Sequence, residues 1–270
     1  MPKFYIPFSM FSLNYLKKII YGKLFLQLLK IKNLKNIFLV DPLCFNYLKK
    51  KHTHTLKKTF FINDLGTANQ IRKFKLTKSK CQKILNIKKS KFVILVYGFI
   101  RENKSLAELV DAVSVLKERF NIIVLIAGLQ DSKIKKFLKE QVQKNKAIRD
   151  NFIIINKYID DRLEKIIFKA TDVTWSGYSK KFYGSSGVLF LSSQNKVPVI
   201  GSDHGSLGWY LKKFKIGFST DLTDTKKVTR VLTNLITNKQ KIKYNFSEAN
   251  KNRNFLNFGK SIVQKILEKK

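Results

Sequence analysis

The chain has 270 residues, 44% hydrophobic and 13% aromatic, with 54 Lys+Arg against 18 Asp+Glu for a formal charge of +36. That apolar content supplies a core for one large domain or two small ones and excludes simple disorder despite the charge. Two cysteines, Cys44 and Cys81, exclude a disulfide framework and a four-cysteine zinc site, and three histidines, His52, His54 and His204, argue against a His-rich metal centre.

The charge is made of 47 Lys and only 7 Arg, with Asn, Ile and Phe also abundant. That is the composition an AT-rich genome imposes through codon bias. Phosphate and base recognition favours the planar fork of Arg, so most of the excess is read as a solvated surface and nucleic acid is a disfavoured partner. Residues 1–90 hold 20 basic and 2 acidic side chains, whereas 91–270 hold 34 and 16. The first third therefore carries double the charge density and would attract anionic lipid or nucleic acid whatever the origin of the charge.

No run is long enough to span a bilayer. Phe4 to Leu16 is 13 residues and includes Pro7, Ser9, Ser12 and Asn14. It also lacks the basic start and small-residue cleavage site of a signal peptide. The expectation is a cytoplasmic or organelle-stromal protein, peripheral at the inner membrane face and not secreted. Residues 15–31 set apolar side chains against Lys17, Lys18, Lys23 and Lys30 at helical spacing. Such a helix either lies on a membrane or packs its apolar face into a core.

Further along, strands are expected at 36–40 and 59–62, with a short helix at 45–51 between them. After residue 91 the order becomes regular. Apolar runs of the kind that form buried parallel strands occur at 92–97, 122–127, 152–155, 172–175, 197–200 and 216–218. Helical spacing fills the intervals at 106–120, 132–142, 160–170, 187–194 and 207–214, and closing helices are read at 228–236 and 247–267. Alternation of this kind means right-handed βαβ units. The fold class is α/β: a doubly wound, Rossmann-like parallel sheet with helices on both faces. Three parts are expected: a shortened basic portion at 1–90, the Rossmann-like domain at 91–246, and a carboxyl-terminal helix at 247–270 that packs back. Ligands of such sheets bind where the strands end, so functional residues belong in the loops at 98–105, 128–132, 156–160, 176–187 and 201–208.

The stretch from Phe182 to Gly208 is the most informative. Gly184-Ser185-Ser186-Gly187 opens a helix, where free amides and the helix dipole attract phosphate. A plain strand-to-helix turn with Ser as cap is the alternative. Asp203 is expected to cap the next helix, and Trp175 and Tyr178 are candidates to stack on a base, with Trp175 placed in the core.

In chain order come Ile159-Asp-Asp-Arg-Leu163, Ala170-Thr-Asp-Val173, Ser185-Ser-Gly-Val-Leu189, Pro198-Val-Ile-Gly-Ser-Asp203, Gly205 and Lys215-Ile-Gly217. Upstream stands Val96-Tyr-Gly-Phe-Ile-Arg-Glu-Asn-Lys104. This series resembles the group 1 glycosyltransferases, retaining enzymes of the GT-B architecture that use nucleotide sugars. The resemblance covers roughly 35–236 and is most specific over 159–217. It implies a GT-B-like fold with a truncated first domain. It implies transfer of a sugar from a nucleotide-diphosphate donor to a lipid-linked or polysaccharide acceptor, without a cofactor or metal. Lys104 matches the family's diphosphate-binding Lys. Arg101 is a weaker candidate, because the family's Arg follows the glycine directly, where this chain has Phe99. Ser185, Ser186, Gly187 and Val188 match the turn whose amides face the donor; Gly184 and His204 are weaker candidates beside it. The family's two acids fall on Tyr183 and Leu191, neither of which is acidic. The catalytic residue is therefore unassigned. A degenerate or truncated binding protein, or a subunit whose partner supplies the rest of the cleft, is the rival reading; a basic nucleic-acid-binding protein is the third.

Overall fold

The computed structural model describes residues 13–64, 74–251, 253 and 255–268. The chain divides into two compact units, residues 1–68 with 252–270, and residues 69–251. Residues 69–90 thus belong with the sheet that follows them, and 252–270 with the first segment.

The smaller unit opens with α1 (Leu13–Leu28). Six of its apolar side chains, Leu16, Ile19, Ile20, Tyr21, Leu24 and Leu28, are exposed, while Phe25 and Leu26 are half-buried. A short strand β1 (Ile37–Leu39), a helix α2 (Pro42–Lys51) and a strand β2 (Thr59–Phe61) follow. The two strands pair in parallel, with Ile37 opposite Thr59. The helix begins three residues earlier than its periodicity suggests, because Asp41 acts as its cap. The Asp41 carboxylate accepts from the amides of Leu43 and Cys44, and Pro42 fills the first helical position, where no amide is needed.

The larger unit opens with α3 (Lys78–Ile84), a helix whose Cys81 is buried with Phe168 and Ile167. The sheet then follows as β3 (Phe92–Tyr97), α4 (Leu106–Leu116), β4 (Ile122–Ala127), α5 (Ser132–Phe137), β5 (Phe152–Ile155), α6 (Asp161–Ala170), β6 (Val173–Ser176), α7 (Gly187–Gln194), β7 (Val199–Ser202), α8 (Gly205–Phe214), β8 (Gly217–Thr220), α9 (Thr225–Asn238) and α10 (Phe246–Asn250). Six parallel strands lie in the order β5-β4-β3-β6-β7-β8. Along β3 the pleat sends Ile94 and Val96 to one face, among residues of α4 and α9, and Val93 and Leu95 to the other, among residues of α3 and α6. Two buried faces explain why the strands are continuous apolar runs rather than alternating ones.

Asp160 caps α6 by accepting from the Leu163 amide at 2.8 Å, as acids at a helix start should. The helix after β4 changes winding: α5 ends at Phe137 and a π-helical stretch runs on from Leu138 to Gln143. The anticipated long closing helix is split, α10 ending at Asn250 and α11 (Phe255–Leu267) belonging to the smaller unit. There Arg253 is buried and donates to the Asp64 carbonyl at 3.0 Å.

At the floor of the sheet, the buried Asp172 carboxylate accepts from the Val93 amide at 2.9 Å. It also meets the ammonium groups of Lys78, at 2.5 Å, and Lys239. Burial holds Lys78 below the ordinary lysine range even with this partner. This junction ties α3 and α9 to the sheet at the end opposite the site.

Candidate functional site

Strand order reverses between β3 and β6. The chain leaves β3 toward β4 on one side and leaves β6 toward β7 on the other, so their carboxyl ends part and leave a crevice. Two loops meet there: 98–105 after β3 and 177–186 after β6.

The first loop folds into a 3-10 turn, Glu102–Lys104, and leaves it through Ser105 in the left-handed region at φ +48°. That costly backbone is held from both sides. The indole N–H of fully buried Trp175 donates to the Lys104 carbonyl at 3.0 Å, and the Ser179 amide donates to the Asn103 carbonyl at 3.1 Å. Trp175 is therefore a core residue, as its place at a strand end implies, whose one polar atom fixes this turn.

The result is a buried ammonium. Lys104 is 5% exposed, and its Nζ donates to the Tyr97 carbonyl at 3.3 Å and the Tyr178 hydroxyl at 2.9 Å. Both acceptors are neutral. Among the described residues no carboxylate lies within ion-pair distance of it. The Tyr178 hydroxyl lies in turn 2.9 Å from the Ser186 hydroxyl, which is also buried. Ser186 precedes the first turn of α7 yet makes no capping bond with its side chain. The first amides of that helix have no acceptors within it. Gly187 has open space where a side chain would stand, and Val188 packs 3.6 Å from the position a Cβ on Gly98 would take.

Lys104 and Ser186 meet through Tyr178 at this crevice, with Gly187 and Val188 following Ser186 at the start of α7. Ser185 and Gly184 are half-buried in the approach to it. Arg101 is exposed, and its guanidinium carbon lies 4.5 Å from the centre of the exposed Phe99 ring. Leu191 is buried in the apolar cluster with Ile167 and Val197 and brings no polar group. Tyr183 is half-buried, edge-on to His204 at 5.4 Å. A ring nitrogen of His204 lies 3.2 Å from the Ser179 carbonyl. The expected Asp203 cap does not form: His204 occupies the cap position of α8, and its side chain makes no capping bond. Tyr178, foreseen as a stacking surface for a base, stacks on Phe182 instead at 4.0 Å and turns its hydroxyl inward.

Two concavities flank this centre. A cavity of about 580 Å³ is lined by Glu102, Glu108, Tyr178, Lys181, His204 and Asp221, among others. A slot of about 230 Å³ is lined by Tyr97, Gly98, Phe99, Gly128, Tyr158 and Ile159, among others. The Tyr97 hydroxyl, at the end of β3, donates to Glu164 Oε2 at 2.6 Å. Burial, then this carboxylate, push its ionisation well above the usual tyrosine range. A raised folded pKa means the stabilising contribution is complete below about pH 10 and is lost as pH rises toward the folded value. Tyr97→Phe should therefore lessen the fall of stability above pH 10 by about 1.4 kcal/mol per pH unit. Urea unfolding of both proteins at pH 9, 10 and 11 checks this; parallel slopes would refute it.

Among the described residues no group of three His, Cys, Asp or Glu side chains could hold a metal ion. No described helix is long and apolar enough to cross a membrane.

The comparisons with known proteins agree with this architecture. No curated protein matches the chain in sequence. Among solved structures, WaaG, a glycosyltransferase involved in lipopolysaccharide biosynthesis, superposes with a TM-score of 0.60 at 12% identity, covering 78% of this chain and 56% of WaaG. The C-terminal domain of the group 1 glycosyl transferase LpcC from Francisella tularensis gives 0.55 at 22% identity, over 64% of this chain and 91% of that domain. Anabaena Alr3699/HepE, solved with UDP and glucose, gives 0.69 at 13% identity over 87% of this chain and 63% of HepE. At these identities the likeness concerns the fold, and the chain spans between half and two thirds of the lengths of WaaG and HepE. The family description "Glycosyl transferases group 1" matches residues 77–253, the six-stranded sheet and its helices entire, so the chain belongs to the group 1 glycosyltransferases.

Proposed function

We propose that the chain binds a nucleotide-diphosphate sugar and transfers its sugar, with retention, to a glycan or lipid-linked acceptor. The observation that carries this reading is the Lys104 ammonium, buried at the switch point beside the open end of α7 with no carboxylate of the described residues within ion-pair distance. A diphosphate supplies the missing charge, and the adjacent helix amides are acceptors' natural complement. The slot between Tyr97 and Ile159 has the largely apolar lining that suits a nucleobase. HepE, of the same fold, was solved with UDP and with UDP-glucose, which supports a nucleotide sugar as ligand. The charge borne by the departing diphosphate is offset on this reading by Lys104 and the α7 amides, with no metal required.

The acceptor side is read from the smaller unit. Leu16, Ile20, Leu24 and Leu28 are exposed on α1 with Lys17 and Lys23 among them. An apolar helix studded with lysines suits an anionic membrane surface, where a lipid-linked acceptor is held.

A second reading has one observation in its favour: Tyr183 and Leu191 offer no carboxylate for donor hydroxyls. On it, the chain binds the donor without turning it over. A thermal-shift screen with UDP, GDP, ADP, CMP and dTDP tests the shared step. Ligand at 100 times its dissociation constant stabilises by about 2.7 kcal/mol, which for a domain of this size is roughly 5–10 °C. A shift with one base and release of nucleotide from its sugar conjugate in the presence of acceptor support the enzyme. A shift without turnover supports the binding protein, and no shift with any nucleotide overturns both.

A further inference from the structure

We infer that Tyr178 is a positioning residue for the diphosphate, turning Lys104 and Ser186 into one directed hydrogen-bond relay; this rests on the nucleotide-sugar reading above. The direction follows from the chemistry of the groups. An ammonium can only donate, so the Tyr178 oxygen accepts from Lys104 Nζ across 2.9 Å. The Ser186 oxygen lies 2.9 Å away on the other side, in a bond that either hydroxyl could donate and that the relay assigns to the phenol proton. Ser186 has thereby accepted, and its own hydroxyl proton is left for a further partner. Its side chain does not cap α7, so that proton is not consumed by the helix. A buried positive charge at the head of the chain polarises each bond in the same sense. The outer end therefore presents a strengthened O–H donor beside the amides of Gly187 and Val188, where an anionic oxygen is the fitting acceptor.

Tyr178 is built to hold this geometry. Its amide donates to Ser202 Oγ at 2.8 Å, and its carbonyl accepts from the same hydroxyl at 2.7 Å. Its ring stacks on Phe182 with 19° between the planes. With backbone and ring both fixed, the hydroxyl has one place to be. Tyr178 touches Lys104 and Ser186 and acts on the ligand only through them.

Tyr178→Phe keeps the ring, the stack and the volume, and removes only the relay's middle oxygen. Calorimetric titration with UDP, GDP, ADP and dTDP, each beside its nucleoside, should show about a tenfold weaker diphosphate and an unchanged nucleoside. Ser186→Ala, at the outer end and sparing the buried ring, should lose a similar factor. The double variant should lose little more than either, because the two changes break one chain. Lysine ¹⁵N NMR adds a signal that packing alone would not move. A hydrogen-bonded buried ammonium exchanges slowly, so one Nζ–H correlation, identified by its absence in Lys104→Met, should be visible at neutral pH in the wild type and lost in Tyr178→Phe. If Tyr178→Phe and Ser186→Ala bind diphosphate as the wild type does while Lys104→Met is weakened, the relay is wrong and the nucleotide reading stands. If Lys104→Met also binds unchanged, or the wild type binds none of the four, the nucleotide reading falls and the relay with it.

Discussion

Lys104→Met should leave the ligand-free protein more stable and its response to a nucleoside diphosphate much weaker. An ammonium taken out of water loses several kcal/mol of solvation, which even a carboxylate sharing the burial repays only with good geometry and further hydrogen bonds. Here the return is two bonds to neutral oxygens, the Tyr97 carbonyl and the Tyr178 hydroxyl. Methionine has nearly the same length and no charge, and Tyr178 keeps its bond to Ser186. A gain of about 1 kcal/mol is expected, equivalent to 2–4 °C for a domain of this size. A charge-assisted hydrogen bond to phosphate is worth about 1.5–3 kcal/mol, so diphosphate affinity should fall at least tenfold. Melting curves of both proteins with and without UDP, GDP, ADP, CMP and dTDP measure the two effects together. Residues that lower stability in the empty site and raise it in the occupied one are the mark of a binding site. A variant destabilised by more than 1 kcal/mol would make Lys104 a strut of the fold instead, and the argument for an anionic ligand would lose its main support.

The parts of the molecule legible in the sequence are those where local pattern and tertiary demand coincide. Strands β3, β4 and β5 occupy the residues their apolar runs mark, because a strand buried on both faces has no alternation to blur its ends. Later strands begin one or two residues beyond their runs: Val197 and Pro198 are apolar but precede β7, since proline has no amide for a ladder. The start of α2 was hidden because Asp41-Pro42 reads as a turn unless the carboxylate is known to reach the Leu43 amide. Helix α3 was missed altogether. Its only signals are the Thr77 cap and Cys81 with Leu85 four residues on, weak marks among three lysines. At the site, Lys104 and the α7 turn could be placed by their spacing from strand ends. Tyr178 could not: the same aromatic in the same loop serves equally to stack on a base or to hold a lysine. Only the 2.9 Å contact to Lys104 Nζ separates the two roles. Leu191 shows the reverse case, in which a position aligned with a polar role belongs to the core because the helix face it occupies is covered.

Gly128→Ala should be severely damaging, and Gly98→Ala, its neighbour across the strand ends, should cost far less. Both glycines have positive φ, +134° at Gly128 and +92° at Gly98. The backbone strain of a side chain there is therefore shared, at roughly 1–2 kcal/mol. Space separates them. A Cβ on Gly98 would meet only Val188 Cγ2 at 3.6 Å, an ordinary contact, whereas one on Gly128 would lie 1.9 Å from the Gly98 oxygen and 2.7 Å from its carbonyl carbon. Those atoms are backbone and cannot swing aside. The Gly98 amide donates to the Ala127 carbonyl at 3.0 Å, and the Gly128 amide to Ile155 at 3.0 Å, so relief must open the ends of three adjacent strands. A loss of more than about 4 kcal/mol is expected for Gly128→Ala, beyond the range of most substitutions, against about 1–2 kcal/mol for Gly98→Ala; urea unfolding compares them. The same close approach floors the slot between Tyr97 and Ile159. A Gly128→Ala protein rescued by low temperature should therefore bind nucleoside more weakly than Gly98→Ala does. Equal losses in the two variants would mean that the strand ends part easily and that the slot has no fixed floor.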